Sequence, residues 1–223
     1  MARERPALSR ERIVEEALAL LDAGGLEGFS MRKLAARLGV EAMSIYHHFP
    51  NRQAILNAAA DRIIGQIVLP PDGVGWRGRL EQFAEGTYRI LMAHPAMVSI
   101  LAMEVADPVD PPALAVIDQT LATLAAAGFS PMQQATIFHA ITAMVFGFVL
   151  DHTRGLVSPV GGREGDVPGN MGVIEARAEE IPHLVALIPS FQAMRPGDDF
   201  RLALRLFLDG LEREPREGGD AIS

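Results

Sequence analysis

Cysteine is absent from this 223-residue chain, which removes disulfides, thiolate nucleophiles and cysteine metal sites together. Lysine occurs once, at Lys33, so 19 of the 20 basic side chains are arginine, a bias that accompanies GC-rich coding. No apolar run approaches about 18 uninterrupted residues, which speaks against a membrane partner. The opening residues, MARERPALSRER, are charged and lack the apolar core of a signal peptide, so the expected location is cytoplasmic. No stretch alternates apolar and polar residues as a strand would, and no internal repeat is present. Glycine-rich phosphate loops, Gly-x-Ser-x-Gly elbows and His-Glu-x-x-His motifs are also missing. The chain therefore reads as no enzyme: no catalytic residues, no cofactor and no metal site are expected. What it has in quantity is apolar side chains, 49% of the total, enough to exclude disorder and to build a sizeable core.

Net charge is −8, which at first argues against a nucleic-acid partner. The charge is uneven, however. Residues 1–68 hold nine basic and eight acidic side chains, against 11 and 20 in residues 69–223. Within residues 28–52, Arg32, Lys33, Arg37 and Arg52 face only Glu41. Screening confines repulsion from the acidic remainder to about 8–10 Å, so a local basic patch can still meet phosphates.

The segment SMRKLAARLGVEAMSIYHHF, Ser30 to Phe49, reads as two short helices joined by a tight turn, the arrangement that presents one helix to the major groove of DNA. Ser30 is placed to cap the first of them, and Leu34, Ala35 and Leu38 recur from Met31 at helical spacing. Gly39 stands where a left-handed residue ends a helix, and Val40 plugs the turn. In the second helix Ile45 and Phe49 face inward. Ala42, Met43, Ser44, Tyr46, His47 and His48 point elsewhere, a half-polar surface that core packing does not require.

Around this segment the spacing predicts a first helix from about Ser9 to a Gly24-Gly25 stop, with Ile13, Val14, Ala17, Leu18 and Leu21 inward. Asn51 caps a fourth helix over residues 51–68, carrying Ile55, Leu56, Ala59, Ile63, Ile64 and Ile67. The domain reading is a DNA-binding domain over residues 1–56, helix 51–68 as connector, and a second domain over residues 69–223. Arg3 and Arg5 lie on a proline-containing arm, and Pro70 to Gly75 marks the boundary. Further helices are expected over residues 76–93, 95–105, 113–127, 131–152, 173–188 and 198–213, giving an all-α fold. Residues 155–172, with six glycines and two prolines, read as a loop. Helix 131–152 leaves almost no polar face, so it must be covered on all sides, either at the centre of the core or with one face in a subunit interface. The last helix has the same two-sided character, which favours a four-helix contact across a two-fold axis.

The stretches ALALLDAGGLEGFSMRKLAARLGV and SIYHHFPNRQAIL together resemble the tetracycline-repressor family of bacterial transcription regulators. Downstream, LATLAAAGFSPMQQATIFHAITAMVFGFVLDH and DDFRLALRLFLDGLER are similar to the C-terminal domain of the tetracycline repressors. The resemblance implies an all-α homodimer. Its N-terminal domains bind an inverted-repeat operator in double-stranded DNA, and its C-terminal helical bundle binds a small-molecule effector that releases the repressor. Carried over by position, the DNA contacts are Arg32 and Lys33 at the start of the second helix, Ala42, Met43, Ser44, Tyr46, His47 and His48 along the recognition helix, and Arg52 on a phosphate. The pocket positions are Phe83, Thr87, Ile117, Thr120, Phe138 and Thr142, an apolar lining with three hydroxyls that suits a largely hydrophobic ligand or, as the alternative, simply fills the core. Where the tetracycline repressors hold a magnesium–drug chelate through histidines, this chain has Leu101 and Ala143. Asp151 alone matches an acidic position of that site, and one carboxylate does not make a hard-cation site.

The remaining histidines and the tryptophan have plainer readings. His139 is expected as a hydrogen-bonded core histidine, Asp151-His152 as a solvated helix end, His94 as a helix terminus before Pro95, and Trp76 as a packing anchor beside the linker. His47 and His48, about 100° apart on a helix, do not share a metal. Two rivals stand beside the ligand-responsive repressor: a DNA-binding regulator without a small-molecule switch, and a helical enzyme or carrier with a vestigial DNA-binding segment.

Overall fold

The computed structural model describes residues 7–69, 73–103, 111–154 and 171–215, and among these the regular elements are all α-helices. The chain divides into two compact units, residues 1–68 with 89–117 and residues 69–88 with 118–223.

In the first unit, α1 (Arg10–Gly28) starts where Ser9 accepts from the Arg12 N–H at 3.2 Å, and it buries the expected stripe of Ile13, Val14, Ala17, Leu18 and Leu21. The helix does break at the glycine pair: Gly25 has φ 63° and ψ −169°, backbone that favours glycine, and a last turn then runs on to Gly28. In α2 (Met31–Leu38), Ser30 accepts from the Lys33 N–H at 3.2 Å, and Leu34, Ala35 and Leu38 are buried. Gly39, at φ 68°, ends it in the left-handed region. The next helix, α3 (Ala42–Tyr46), has only five residues and is held by Ile45, which is fully buried, and by Phe49 just beyond it. Asn51 caps α4 (Arg52–Ile64) by accepting from the Ala54 N–H at 2.8 Å. This fourth helix stops at Ile64, short of the expected 68, and Gly65 to Ile67 continue only as turns. The end of α5 (Trp76–Ala93) and α6 (Ala96–Met103) belong here too. α6 packs on α1 and α4 through Ala96, Met97, Val98 and Ile100, and His94 Nδ1 lies 3.0 Å from the Asp22 carboxylate.

In the second unit, residues 76–88 of α5 bury Leu80, Phe83, Ala84 and Thr87. Trp76 anchors the start of this helix inside the unit, edge-on to Phe129 at 5.3 Å. From α7 (Pro111–Ala126) the unit takes Thr120 and Leu124 as buried positions. Ser130 and Gln133 form a reciprocal capping pair at the head of α8 (Pro131–Arg154), with Pro131 as the first helical residue. Two short helices follow, α9 (Met171–Ala176) and α10 (Pro182–Ala193), then α11 (Asp198–Leu211). Phe200, Leu204, Leu208 and Leu211 of α11 are buried, and Arg77 of α5 pairs with Asp209 at 2.6 Å.

Two further expectations, one for a helix and one for a histidine, need correction. The single helix over 173–188 is two, because Pro182 disfavours helical backbone at the residue before it, and Ile181 sits at φ −129°, ψ 49°. α8 buries one stripe within the chain, Ile137, Ile141, Val145 and Val149, and leaves Ala143 and Gly147 exposed, which does not fit the core-centre alternative. His139 is exposed rather than a core histidine, since it falls on the face opposite that stripe. By length and composition Pro131–Thr153 of α8 is also apolar enough to cross a membrane (23 residues, mean hydropathy 1.4 over 18 of them). The loop at 155–170, the arm at 1–6, Pro70–Pro71 and Pro108 lie outside the described residues.

Candidate nucleic-acid interface and candidate ligand site

The recognition helix is short because it is built as a display. Ile45 and Phe49 are 0% and 1% exposed, so α3 is fixed from behind, while Met43 and Tyr46 are 66% and 42% exposed. His47 is also exposed, and Ala42, Ser44 and His48 are half-buried along the same short element. An exposed methionine and phenol on the helix and an imidazole at its C-cap, anchored by two buried residues, make a surface suited to base edges and thymine methyls. Around it, Arg32 and Lys33 are exposed in the first turn of α2. The Lys33 ammonium donates to the Gly28 carbonyl at 2.9 Å, which ties the end of α1 to the start of α2. Arg37 pairs with Glu16 at 2.7 Å, which takes one cation of the basic patch into an intramolecular bond. Arg52 is half-buried, its guanidinium 5.3 Å from the centroid of the Phe29 ring. The nine expected DNA-contact residues are thus all described, on α2, on α3 and the turn at residues 47–48 that follows it, and at the start of α4.

Two residues here escaped sequence reasoning. Arg10 Nη1 donates to the His48 carbonyl, and Arg12 Nη2 donates to the Leu38 carbonyl at 3.4 Å. These bonds join residues 38 and 26 positions apart, beyond any local pattern.

Of the six expected ligand residues, five fall in the second unit and Ile117, half-buried, in the first. Phe83, Thr87 and Thr120 are buried, and Phe138 and Thr142 half-buried. The Phe83 and Phe138 rings stack at 6.3 Å with 28° between planes. Thr87 donates to the Phe83 carbonyl at 2.7 Å and Thr142 to the Phe138 carbonyl at 2.9 Å. With their protons committed to their own helices, these hydroxyls keep lone pairs, so toward a ligand they act as acceptors. At the positions compared with the tetracycline repressors' metal site, Leu101 is half-buried, Ala143 exposed and Asp151 half-buried.

The same unit contains a polar cluster that the sequence reading placed wrongly. His152 is not a solvated helix end. Its side chain is 7% exposed, with Nδ1 at 2.8 Å from Tyr88 Oη and Nε2 at 2.8 Å from Asp199 Oδ2. Asp199 Oδ1 accepts the backbone N–H groups of Gly197 and Phe200 at 3.2 and 2.8 Å. A carboxylate only accepts, so His152 donates from Nε2, and its free Nδ1 receives the Tyr88 hydroxyl proton. Tyr88 stacks on Phe200 at 4.3 Å and 11°. Burial first, then the Asp199 charge, push the Tyr88 phenol up to about 12. One chain of hydrogen bonds therefore ties α5, α8 and α11 together.

A capped helix-turn-helix followed by a helical unit of this size defines a class, the two-part all-α proteins with an N-terminal helix-turn-helix. Residues 13–59 match the family described as bacterial regulatory proteins, tetR family, and residues 69–214 match the tetracyclin repressor-like C-terminal domain. The chain belongs to the tetracycline-repressor family. It is 34% identical over 149 residues to an HTH-type transcriptional regulator of Saccharopolyspora erythraea, an alignment covering 66% of this chain and 62% of that protein. Against an HTH-type transcriptional repressor of Streptomyces coeruleorubidus it spans 36% of the relative's length. The class A tetracycline repressor from transposon 1721 of Escherichia coli is 28% identical over 225 residues, 96% of this chain and 99% of that one. Among solved structures, ActR of Streptomyces coelicolor in complex with actinorhodin superposes with a TM-score of 0.71 at 25% identity, covering 93% of this chain and 98% of that one.

Proposed function

We propose that this protein is a transcriptional repressor that binds an inverted-repeat operator as a homodimer and is released by a small, largely hydrophobic effector. The observation that carries the reading is the exposed face of Met43, Tyr46 and His47 on a helix pinned by Ile45 and Phe49. Arg32, Lys33 and Arg52 supply the phosphate contacts, Ser44 and Tyr46 fix register, and the side chains of α3 read base edges. One five-residue helix makes few base contacts, so pairing supplies the rest, with two copies set about 34–36 Å apart in successive major grooves. The unenclosed faces of α8 and α11 support that pairing: Met132, Leu202 and Leu206 are exposed apolar side chains on them.

The effector site lies in the second unit, among Phe83, Thr87, Thr120, Phe138 and Thr142. Phenyl faces and acceptor hydroxyls suit a flat, aromatic molecule carrying a few donor groups. The actinorhodin complex of the Streptomyces coelicolor relative supports such a ligand class. Leu101 and Ala143 in place of histidines argue against a magnesium–tetracycline chelate. Such a ligand acts only by preferring the geometry that does not bind DNA. A regulator without an effector is favoured by one observation, the Thr87 and Thr142 hydroxyls already bonded to their own helices.

Footprinting on the DNA flanking the protein's own gene tests the first claim. A protected inverted repeat is expected, lost in Tyr46→Ala and Arg52→Ala with folding intact. Protection surviving both variants refutes the interface. Operator binding that no tightly bound flat aromatic ligand weakens removes the effector claim and leaves the switchless regulator.

A further inference from the structure

The recognition helix lacks the means to hold its own shape. Its five residues are far below the 12–15 at which an isolated helix is even marginal, and Glu41 at its N-cap makes no side-chain capping bond. The His48 and Phe49 N–H groups both reach the Ile45 carbonyl, at 2.9 and 3.0 Å, and the carbonyls that follow have no further turn to donate to them. Arg10 fills that gap. Its guanidinium donates to the His48 carbonyl and lies 4.0 Å from the centroid of the buried Phe49 ring. A cation in the first turn of α1 is unfavourable for α1 itself, whose positive dipole end is there; it is favourable at the carbonyl end of α3. Arg10 also stands on a fixed base, one residue past the Ser9 cap and three before the fully buried Ile13. Arg12 repeats the arrangement for α2 through the Leu38 carbonyl.

We propose that Arg10 is a positioning residue for DNA recognition: it caps the end of α3 and so fixes His47 and His48, without itself contacting the operator. The proposal rests on the DNA-binding reading and adds a residue to it. A phosphate-contacting arginine and a positioning arginine differ in salt dependence. Removing one phosphate contact lowers the slope of log affinity against log salt by about 0.9 and weakens specific and random duplexes alike. Removing a cap leaves that slope unchanged and weakens the specific duplex selectively.

The test uses the full-length chain and its Arg10→Ala and Arg10→Lys variants. Amide hydrogen exchange is read at His48 and Phe49, and duplex binding is titrated between about 50 and 200 mM salt. For Arg10→Ala the expectation is roughly tenfold faster exchange at those two amides, with exchange across Ile13 to Leu21 unchanged. Operator affinity should fall about tenfold at constant slope, a loss equivalent to about 1.4 kcal/mol. Arg10→Lys, which keeps a cation over Phe49, should recover part of both losses. Unchanged exchange overturns the proposal, and so does a slope reduced by about 0.9 with parallel loss on a random duplex. If the unmodified chain binds no duplex, the DNA-binding reading is what fails; the exchange data still decide whether Arg10 holds α3.

Discussion

The helix-turn-helix and the α5–α8–α11 cluster both fix polar groups in defined positions, but over different spans of chain. Ser30 caps α2 and Asn51 caps α4 by accepting from an N–H three residues ahead. Tyr88, His152 and Asp199 meet across 64 and 47 positions, and the bonds they form are partly buried. The local bonds set where helices begin. The distant ones decide which faces of finished helices lie together, and they do so where water competes less. The first region can therefore lose a single bond at modest cost, whereas the second carries packing and hydrogen bonding in the same few side chains.

That contrast is open to measurement. The largest effect is expected for Phe200→Ala, which removes a ring that is 1% exposed, stacked on Tyr88 and edge-on to Phe148 at 5.5 Å. Urea unfolding followed by the single tryptophan, Trp76 in the same unit, should show a loss of about 3–5 kcal/mol. A loss under about 1 kcal/mol would mean that the cluster is not a packed centre. His152→Ala comes next, at about 2 kcal/mol, because it leaves the Tyr88 hydroxyl and one Asp199 oxygen without their partner. Ser30→Ala and Asn51→Ala should each cost about 1 kcal/mol. If either cap variant exceeds His152→Ala by thermal or urea denaturation, the ordering of the two regions is reversed.

The smallest effect is confined to alkaline pH. The folded Tyr88 phenol sits at about 12, above the roughly 10 of an ordinary tyrosine, so the native state keeps a proton that the unfolded chain has lost. The linked stability is complete below about pH 10 and is lost as pH rises toward 12. With Tyr46→Phe, Tyr88 is the last tyrosine, and its phenolate absorbance should appear near pH 12. Tyr88→Phe should keep the ring stack on Phe200 and abolish the alkaline slope. Phenolate appearing near pH 10 in the folded Tyr46→Phe protein would contradict the buried bond.

The caps of α1, α2 and α4 were legible because Ser9, Ser30 and Asn51 each act within one turn. The inward stripe Ile13, Val14, Ala17, Leu18 and Leu21 was legible because helical period alone places those residues on one face. Around α8 the same reasoning found the helix and left two surroundings open, the centre of the core or a subunit interface on one face. Within the chain only every fourth residue from Ile137 to Val149 is buried, which does not fit the first. His139 and His152 show the limit sharply. Both are histidines on one apolar helix, one exposed and one buried against Tyr88 and Asp199, and the local cues pointed the wrong way for both: apolar neighbours for His139, Asp151 and Arg154 beside His152. Likewise Arg10 gave no local sign that its partner was His48.

By itself the sequence determined most of the helices, the caps of α1, α2 and α4 and the outward face of Met43, Tyr46 and His47, since periodicity, capping and backbone stereochemistry act over a few residues. Only the tertiary structure decided that Arg10 closes the end of the recognition helix and that Tyr88, His152 and Asp199 share protons, because those contacts depend on where distant helices come to rest. Their energies arise from desolvation and alignment, which exist only once the chain has packed.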